Sequence, residues 1–139
     1  MRATPSQTVG PFLSIGLDWG ADGADADGTS ISGRVLDGAG DPVPDAMVEA
    51  WSGAAFARSL TDDAGGWAVV VPPAPYVAVH VFARGLLRHL TTRICFEETA
   101  IPAGVPAERR ATLQPIARED GYTFDIVIQG ERETVFFDV

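Results

Sequence analysis

Lysine is absent from this sequence, and all 10 basic residues are arginines, set against 19 acidic residues. The formal net charge is therefore −9. Proteins that bind nucleic acid neutralise phosphates with clustered cations, and anionic membranes attract basic segments. The charge balance argues against both kinds of partner.

Cysteine occurs once, at Cys95, so no disulfide can form within the chain. We expect Cys95 to be a small buried apolar residue in a reducing compartment. The opening residues, MRATPSQTVGPF, contain one arginine and no apolar stretch of the kind that a secretory signal needs. A run of about 18 apolar residues is also missing. These features predict a cytoplasmic protein without a membrane segment.

The length of 139 residues, with 46% hydrophobic and 21% charged residues, is typical of one globular domain. We divide the chain into an N-terminal arm, residues 1–17, and a single domain, residues 18–139. The arm is broken by proline and glycine but carries apolar residues, so we expect it to lie extended on a surface of this chain or of a partner. Residues 18–30, DWGADGADADGTS, are typical of a solvated loop. A calcium loop is the alternative, but this segment lacks the EF-hand spacing and its final glutamate.

From Ile31 onward, apolar residues alternate with a period of two, which is typical of β-strands. Seven or eight short strands with turn signals between them predict an all-β fold, an antiparallel β-sandwich. One short helix is predicted over residues 106–113, PAERRATL. The strands are predicted at residues 31–37, 46–51, 55–60, 67–71, 76–83, 91–96, 122–128 and 134–138.

Histidine and tyrosine, two residue types that can ligate iron, occur twice each. Tyr76 and His80 share one face of a predicted strand, but four residues of extended chain separate their backbones by roughly 13 Å. Ala78, between them, has no donor atom, and His89 falls in a loop beyond the strand. We therefore predict no Tyr/His metal site within this chain.

Other catalytic signatures are missing from the sequence, among them a phosphate-binding glycine loop, a CxxC pair and a GxSxG elbow. The adjacent carboxylates Asp62–Asp63 and Glu97–Glu98 point to opposite faces of an extended chain. We interpret them as turn and surface charge rather than as acid/base pairs.

Six of the arginines fall within residues 84–118, beside His80 and His89. In an acidic chain this predicts a local positive field that recognises an anionic ligand or an acidic partner. The alternative is that these arginines pair with the chain's own carboxylates. Arg84 follows a predicted strand and precedes Gly85, a position suited to meeting a carboxylate. The six are Arg84, Arg88, Arg93, Arg109, Arg110 and Arg118.

Long strings of the sequence resemble the intradiol ring-cleavage dioxygenases, and in particular the α subunits of their α/β heteromeric members. Residues 33–51, GRVLDGAGDPVPDAMVEAW, resemble the first core hairpin of the family. The strings that resemble the α subunits, in the same order, are TPSQTVGPF at 4–12, VFARGLLRHLTTRICF at 81–96, PAERRATL at 106–113 and YTFDIVIQGERETVFFD at 122–138.

The resemblance implies an enzyme built from two related β-sandwiches. Its β subunit holds a non-haem Fe(III) with two tyrosines and two histidines, and its α subunit binds no iron but completes the active-site pocket. The implied reaction inserts both atoms of O₂ into protocatechuate between the two hydroxyl-bearing carbons and yields 3-carboxy-cis,cis-muconate. The His-x-His ligands of the catalytic chain fall on Tyr76-Val77-Ala78 here, so the resemblance implies no catalytic residue or metal ligand in this chain.

The resemblance also implies a substrate-binding role for five residues. Arg84 matches an α-subunit arginine that faces the pocket and orients the aromatic carboxylate. The chain is shorter than such subunits, with loops missing after Leu17, after Trp51, before Pro75 and after Phe96. The other four residues match the N-terminal segment that lines the pocket: Thr8, Gly10, Pro11 and Phe12.

A second resemblance leaves an alternative open. GRVLDGAGDPVPDAMVEAW followed by TDDAGGWAVVV is also similar to transthyretin-like and carboxypeptidase-regulatory sandwiches, which bind or pack without catalysis. The first seventy residues fit both families, while the later strings fit the dioxygenases only. A stand-alone binding module would be a monomer, whereas an α subunit requires an iron-bearing β subunit and exposes Phe136 and Phe137 when isolated.

Overall fold

The structure, a computed structural model, describes Pro5 and residues 28–138. The predicted boundary between arm and domain, after residue 17, lies outside these residues. The four pocket residues predicted in the arm also lie outside them: Thr8, Gly10, Pro11 and Phe12.

The described chain is all-β, as predicted, with two sheets built from nine strands. Two short 3₁₀ helices, Glu98–Ala100 and Ala107–Leu113, follow the sixth strand. The second of them confirms the predicted helical segment, with Pro106 as its N-cap. The strands are β1 Thr29–Leu36, β2 Met47–Ser52, β3 Ala55–Leu60, β4 Gly66–Val71, β5 Tyr76–Phe82, β6 Leu90–Cys95, β7 Ile116–Arg118, β8 Gly121–Thr123 and β9 Ile126–Val127.

The first sheet has the order β4-β1-β8-β7, with β9 also beside β1, and the second has the order β3-β2-β5-β6. All pairs of the second sheet are antiparallel. In the first sheet β8 and β9 run parallel to β1, a local departure from the antiparallel pairing that the sequence predicts and the other strand pairs show. The chain enters this sheet at its edge through β7 and turns back into β8, and that return leaves β8 parallel to β1.

The strand predicted over residues 122–128 is interrupted where it passes Gly33. A Cβ at Gly33 would lie 1.8 Å from the carbonyl oxygen of Phe124, so only glycine permits this approach of the two backbones. The carboxylate of Asp125 accepts a hydrogen bond from the N–H of Arg34 at 2.9 Å. The chain therefore pairs with β1 twice, as β8 before this point and as β9 after it.

Alternation along β5 positions one set of side chains in the core and the other on the opposite side of the sheet. Val77, Val79 and Val81 are fully buried between the sheets, as their spacing predicts. Each such valine contributes about 1.5–3 kcal/mol relative to an exposed position. A second cluster packs Cys95 and Leu113 beneath the 3₁₀ helices, which confirms Cys95 as a buried apolar residue.

The C-terminal segment is not the strand predicted over residues 134–138. Thr134 donates its N–H to the carbonyl of Val127 in the first sheet at 3.0 Å, whereas Phe137 donates to Thr91 in the second sheet at 2.8 Å. The segment thus crosses from one sheet to the edge of the other, and it continues neither ladder. Phe136 and Phe137, expected to be exposed, are half-buried against the two hydrophobic clusters.

Within residues 28–138, no helix is long and apolar enough to cross a membrane.

Candidate functional site: the outer face of the second sheet

We call the side of the second sheet that points away from the first sheet the outer face. Strand register arranges its side chains in rows, since residues on one face of paired strands lie opposite one another. Tyr76 and His80, whose shared face the sequence predicts, both lie on it. Two of its rows are Phe56–Trp51–Ala78–Arg93 and Arg58–Glu49–His80–Thr91.

Arg84 lies at one end of the outer face, two residues beyond β5. The β2–β5 ladder ends at the pair Met47–Phe82, and Asp45 and Arg84 each lie two residues beyond that pair. The Nε of Arg84 lies 3.1 Å from Oδ2 of Asp45. A turn at Gly85, with φ of 88°, fixes the backbone immediately after the arginine.

The Arg84 guanidinium remains accessible, because its side chain is 59% exposed. An ion pair between exposed side chains contributes about 0–1 kcal/mol. Asp45 can therefore orient Arg84 without preventing the guanidinium from binding the carboxylate of a ligand that it holds more tightly than Asp45.

The arginines of residues 84–118 lie on both sheets, and the shared positive field stays a prediction. Arg88 lies 3.8 Å from Asp138, and Arg110 lies 3.9 Å from Glu98. Arg118 lies on the first sheet. The alternative, pairing with the chain's own carboxylates, is confirmed for Arg84, Arg88 and Arg110.

His80 has a neighbour that sequence reasoning missed. Its ring centroid lies 4.9 Å from that of His89, which in turn lies 5.1 Å from the ring of Phe82. The pairing of Val81 with Leu90 in the β5–β6 hairpin brings His89 back over the end of β5. The hairpin register was the signal that would have revealed this contact, since it makes residues 80 and 89 diagonal neighbours.

This arrangement predicts a pH dependence of stability. Partial burial of His80 and the nearby charge of His89 lower its pKa from the ordinary 6.5, against a smaller opposing effect of Glu49. The unfolded chain then binds this proton more readily than the folded chain. The contribution of His80 to the free energy of unfolding is full above pH 6.5 and is lost as the pH falls through the lower folded-state pKa.

Urea unfolding at about pH 7.5 and about pH 5.5 measures this loss. We expect the His80→Gln variant to lose less stability between the two conditions than the parent chain. His89→Gln is the matched comparison, and because it removes the neighbouring charge but keeps the His80 imidazole it should give an intermediate loss. Equal losses in all three proteins would contradict the assignment to His80.

The described residues do not fit the ligand set of an iron site. Among residues 28–138, no group of three histidine, cysteine, aspartate or glutamate side chains is placed to hold a metal ion. At the positions that match the family's His-x-His, Ala78 has no donor atom, and the Tyr76 ring lies under the Arg93 guanidinium at 4.5 Å. What this face offers chemically is therefore cations, aromatic rings and one histidine pair.

The two-sheet fold recurs in solved dioxygenase structures. One is the dioxygenase domain of a dioxygenase carbohydrate-binding protein fusion from Streptomyces sp. SirexAA-E, with a TM-score of 0.56, 21% identity and coverage of 93% of this chain and 99% of that chain. Hydroxyquinol 1,2-dioxygenase from Pseudomonas putida DLL-E4 gives a TM-score of 0.55 at 18% identity over 76% of this chain and 58% of that chain. The chain thus has the β-sandwich fold of these dioxygenases.

Curated relatives match the whole chain. The protocatechuate 3,4-dioxygenase alpha chain of Pseudomonas putida is 37% identical over 194 residues, covering 97% of this chain and 96% of the relative. The protocatechuate 3,4-dioxygenase alpha chain of Burkholderia cepacia is 37% identical over 196 residues, covering 100% of this chain and 98% of the relative. No protein-family model matches. The chain belongs to the family of protocatechuate 3,4-dioxygenase alpha chains.

The comparisons also bear on two sequence-based interpretations. The aligned length of 194 residues exceeds the 139 of this chain, so the relatives contain segments that it lacks. This confirms that the chain is short for its family. The match extends beyond the first seventy residues, where the transthyretin-like and carboxypeptidase-regulatory alternative ends, and so favours the dioxygenase family.

Proposed function

We propose that this chain is the iron-free α subunit of a protocatechuate 3,4-dioxygenase and completes the active-site pocket of an iron-bearing β subunit. The observation that carries the proposal is the similarity to two alpha chains of that enzyme along the whole sequence. The enzyme would be an oxidoreductase of aromatic catabolism that converts protocatechuate and O₂ to 3-carboxy-cis,cis-muconate.

The residues at the matched ligand positions support placing the iron in the partner. β5 carries Tyr76, Val77 and Ala78 there, and Val77 is fully buried in the core. Only Tyr76 has an oxygen donor, and that single donor cannot replace a four-residue ligand set. Bound Fe(III) would supply the oxygen chemistry, and the β subunit would hold it.

The part played by this chain is to position the substrate. Arg84, exposed at the end of the outer face, would attract and orient the carboxylate of protocatechuate. In the arm, Thr8 would offer a hydroxyl and Gly10–Pro11 a close, rigid wall beside Phe12. These roles follow from the resemblance of the arm to the pocket-lining segment of α subunits.

A cytoplasmic location belongs to the same proposal. Cys95, the single cysteine of the sequence, is a free thiol buried among apolar side chains, and the chain needs no oxidising compartment to fold.

The test is co-expression with the candidate β chain and purification through a tag on this chain. We expect a complex that contains iron and consumes protocatechuate in an oxygen-dependent manner, while this chain alone binds no iron and is inactive. Each chain purified separately is the matched control. If this chain emerges without a partner, or if it binds iron and is active by itself, the proposal is wrong.

A further inference from the structure

Arg93 is set apart from the other arginines by the way in which it is held. Its guanidinium lies over the ring of Tyr76 at 4.5 Å and over the ring of Phe137 at 5.6 Å. Arg84, Arg88 and Arg110 each have a carboxylate within 4 Å, but no described residue gives the Arg93 side chain an ion pair or a hydrogen bond.

This lack of an acidic partner is unexpected in a chain with a net charge of −9. Arg93 is half-buried, so the packing of its aliphatic stem and the rings of Tyr76 and Phe137 restrict the rotation of its guanidinium group. Stacking occupies the faces of a guanidinium and leaves its N–H edges free to donate. Arg93 is thus a pre-positioned cation whose hydrogen-bond donors have no acceptor among residues 28–138.

Aromatic side chains surround this cation on the outer face. Trp51 and Tyr76 are 39% and 40% exposed, two of the few large hydrophobic side chains so exposed among the described residues. Trp51 packs on Phe56 with ring centroids 4.6 Å apart. Ala78 lies between Trp51 and Arg93 in the same row, so a small side chain separates two large ones whose backbones are about two strand spacings, roughly 10 Å, apart.

We refer to Trp51, Phe56, Tyr76, Ala78 and Arg93 as the Arg93 surface. It is separate from Arg84, because the six residues of extended chain from Ala78 to Arg84 span roughly 20 Å. It is therefore not part of the position assigned to the substrate carboxylate.

We propose that the Arg93 surface binds the β subunit, through a segment that places a carboxylate on Arg93 and apolar side chains over Ala78 and Trp51. The inference rests on the proposed function, since it takes the second chain of the enzyme as the partner. Tryptophan, tyrosine and arginine are the residues that dominate binding energy at protein interfaces. Arg93, which has no ion pair with any described residue, supplies the charge complementarity, and it requires an acidic rather than a basic segment.

The openness of the surface favours a protein partner over a small aromatic acid. Sites for small molecules bury most of their ligand in a concave pocket. Here the rings that would form the walls remain about two-fifths exposed, at 39% for Trp51 and 40% for Tyr76. A protein segment that covers the whole of such a shallow face buries more apolar surface than a small aromatic acid could.

The test compares Arg93→Gln with Arg118→Gln in the co-expressed complex and measures the Kd between the two chains. Arg118 is the matched control, because it is an exposed arginine on the first sheet whose Nε donates a hydrogen bond to the hydroxyl of Thr123 at 3.3 Å. We expect Arg93→Gln to weaken binding by about tenfold or more, since it leaves a buried carboxylate of the partner unpaired. Arg118→Gln should change the Kd by no more than about twofold.

A second measurement does not depend on the stability of the Arg93 variant. In a Trp19→Phe chain, acrylamide quenching reports mainly on exposed Trp51, because Trp67 is 3% exposed. We expect the β subunit to protect Trp51 from quenching in the complex, and Trp51→Ala to weaken the complex.

Several outcomes would overturn the assignment. If the complex forms and is active but Arg93→Gln and Trp51→Ala bind like the parent, the interface is wrong and the proposed function stands. If the parent chain binds no β subunit, the proposed interface and the proposed function are both wrong. If removal of residues 1–17 exposes Trp51 in the free chain, or if Arg93→Gln dissociates a homodimer, the occupant is the chain's own arm or a second copy.

Discussion

Replacing Gly33 with alanine is expected to lower the free energy of unfolding by about 3 kcal/mol or more, the upper range for overpacking. The added methyl would lie 1.8 Å from the carbonyl oxygen of Phe124, which is backbone and cannot rotate away. To relieve that contact, β8 and β9 would both have to shift away from β1. Urea unfolding of the parent and the variant measures the difference.

Gly104 provides the matched control. A Cβ there meets no atom within 4 Å, and its φ is not in the left-handed region. We expect Gly104→Ala to change the free energy of unfolding by at most about 1 kcal/mol, and to raise it if it changes it at all. Equal stabilities for the two variants would show that the close approach at Gly33 is relaxed at little cost.

Replacing Arg84 with alanine in the α/β complex is expected to raise the KM for protocatechuate by about tenfold to a hundredfold. A hydrogen bond to a charged group contributes about 1.5–3 kcal/mol, and the exposed guanidinium would make one to the substrate carboxylate. Because that carboxylate does not take part in ring cleavage, kcat should change much less than KM. Steady-state oxygen consumption gives both constants.

Asp45→Asn separates substrate binding from the ion pair within the chain. It removes the carboxylate 3.1 Å from Arg84 but leaves the guanidinium in place. We expect its KM to equal or fall below that of the parent, since a competing anion has been removed. An unchanged KM in Arg84→Ala would place Arg84 outside the pocket.

The location of the strands could be predicted from the sequence because alternation is a local property. The valines of β5 are fully buried and its even-numbered residues face outward, as their spacing indicates. The failed predictions concern segments whose partners change along the chain. The C-terminal segment has strand-like residues, yet it bonds to Val127 in one sheet and to Thr91 in the other, so no continuous ladder forms.

In the candidate site, too, one residue could be predicted from the sequence and another only from the structure. Arg84 could be selected from its position after a strand and from the family strings around it. Arg93 was only one of six arginines in a charged region, and nothing in its own neighbourhood of the sequence distinguished it. Its environment comes from Tyr76 on the adjacent strand and from Phe137, forty-four positions further along the chain.

The sequence by itself determined the all-β class, the faces of the strands, the burial of Cys95 and the membership of a dioxygenase family. The first three follow from residue type and short spacing, and the family follows from the resemblance of long strings; neither depends on how distant segments pair. Only the tertiary structure decided that Asp45 faces Arg84, that His89 returns to His80, and that Phe124 passes within contact of Gly33. Each of these contacts depends on strand register and on the crossing of the chain between sheets, and both are set by long-range packing.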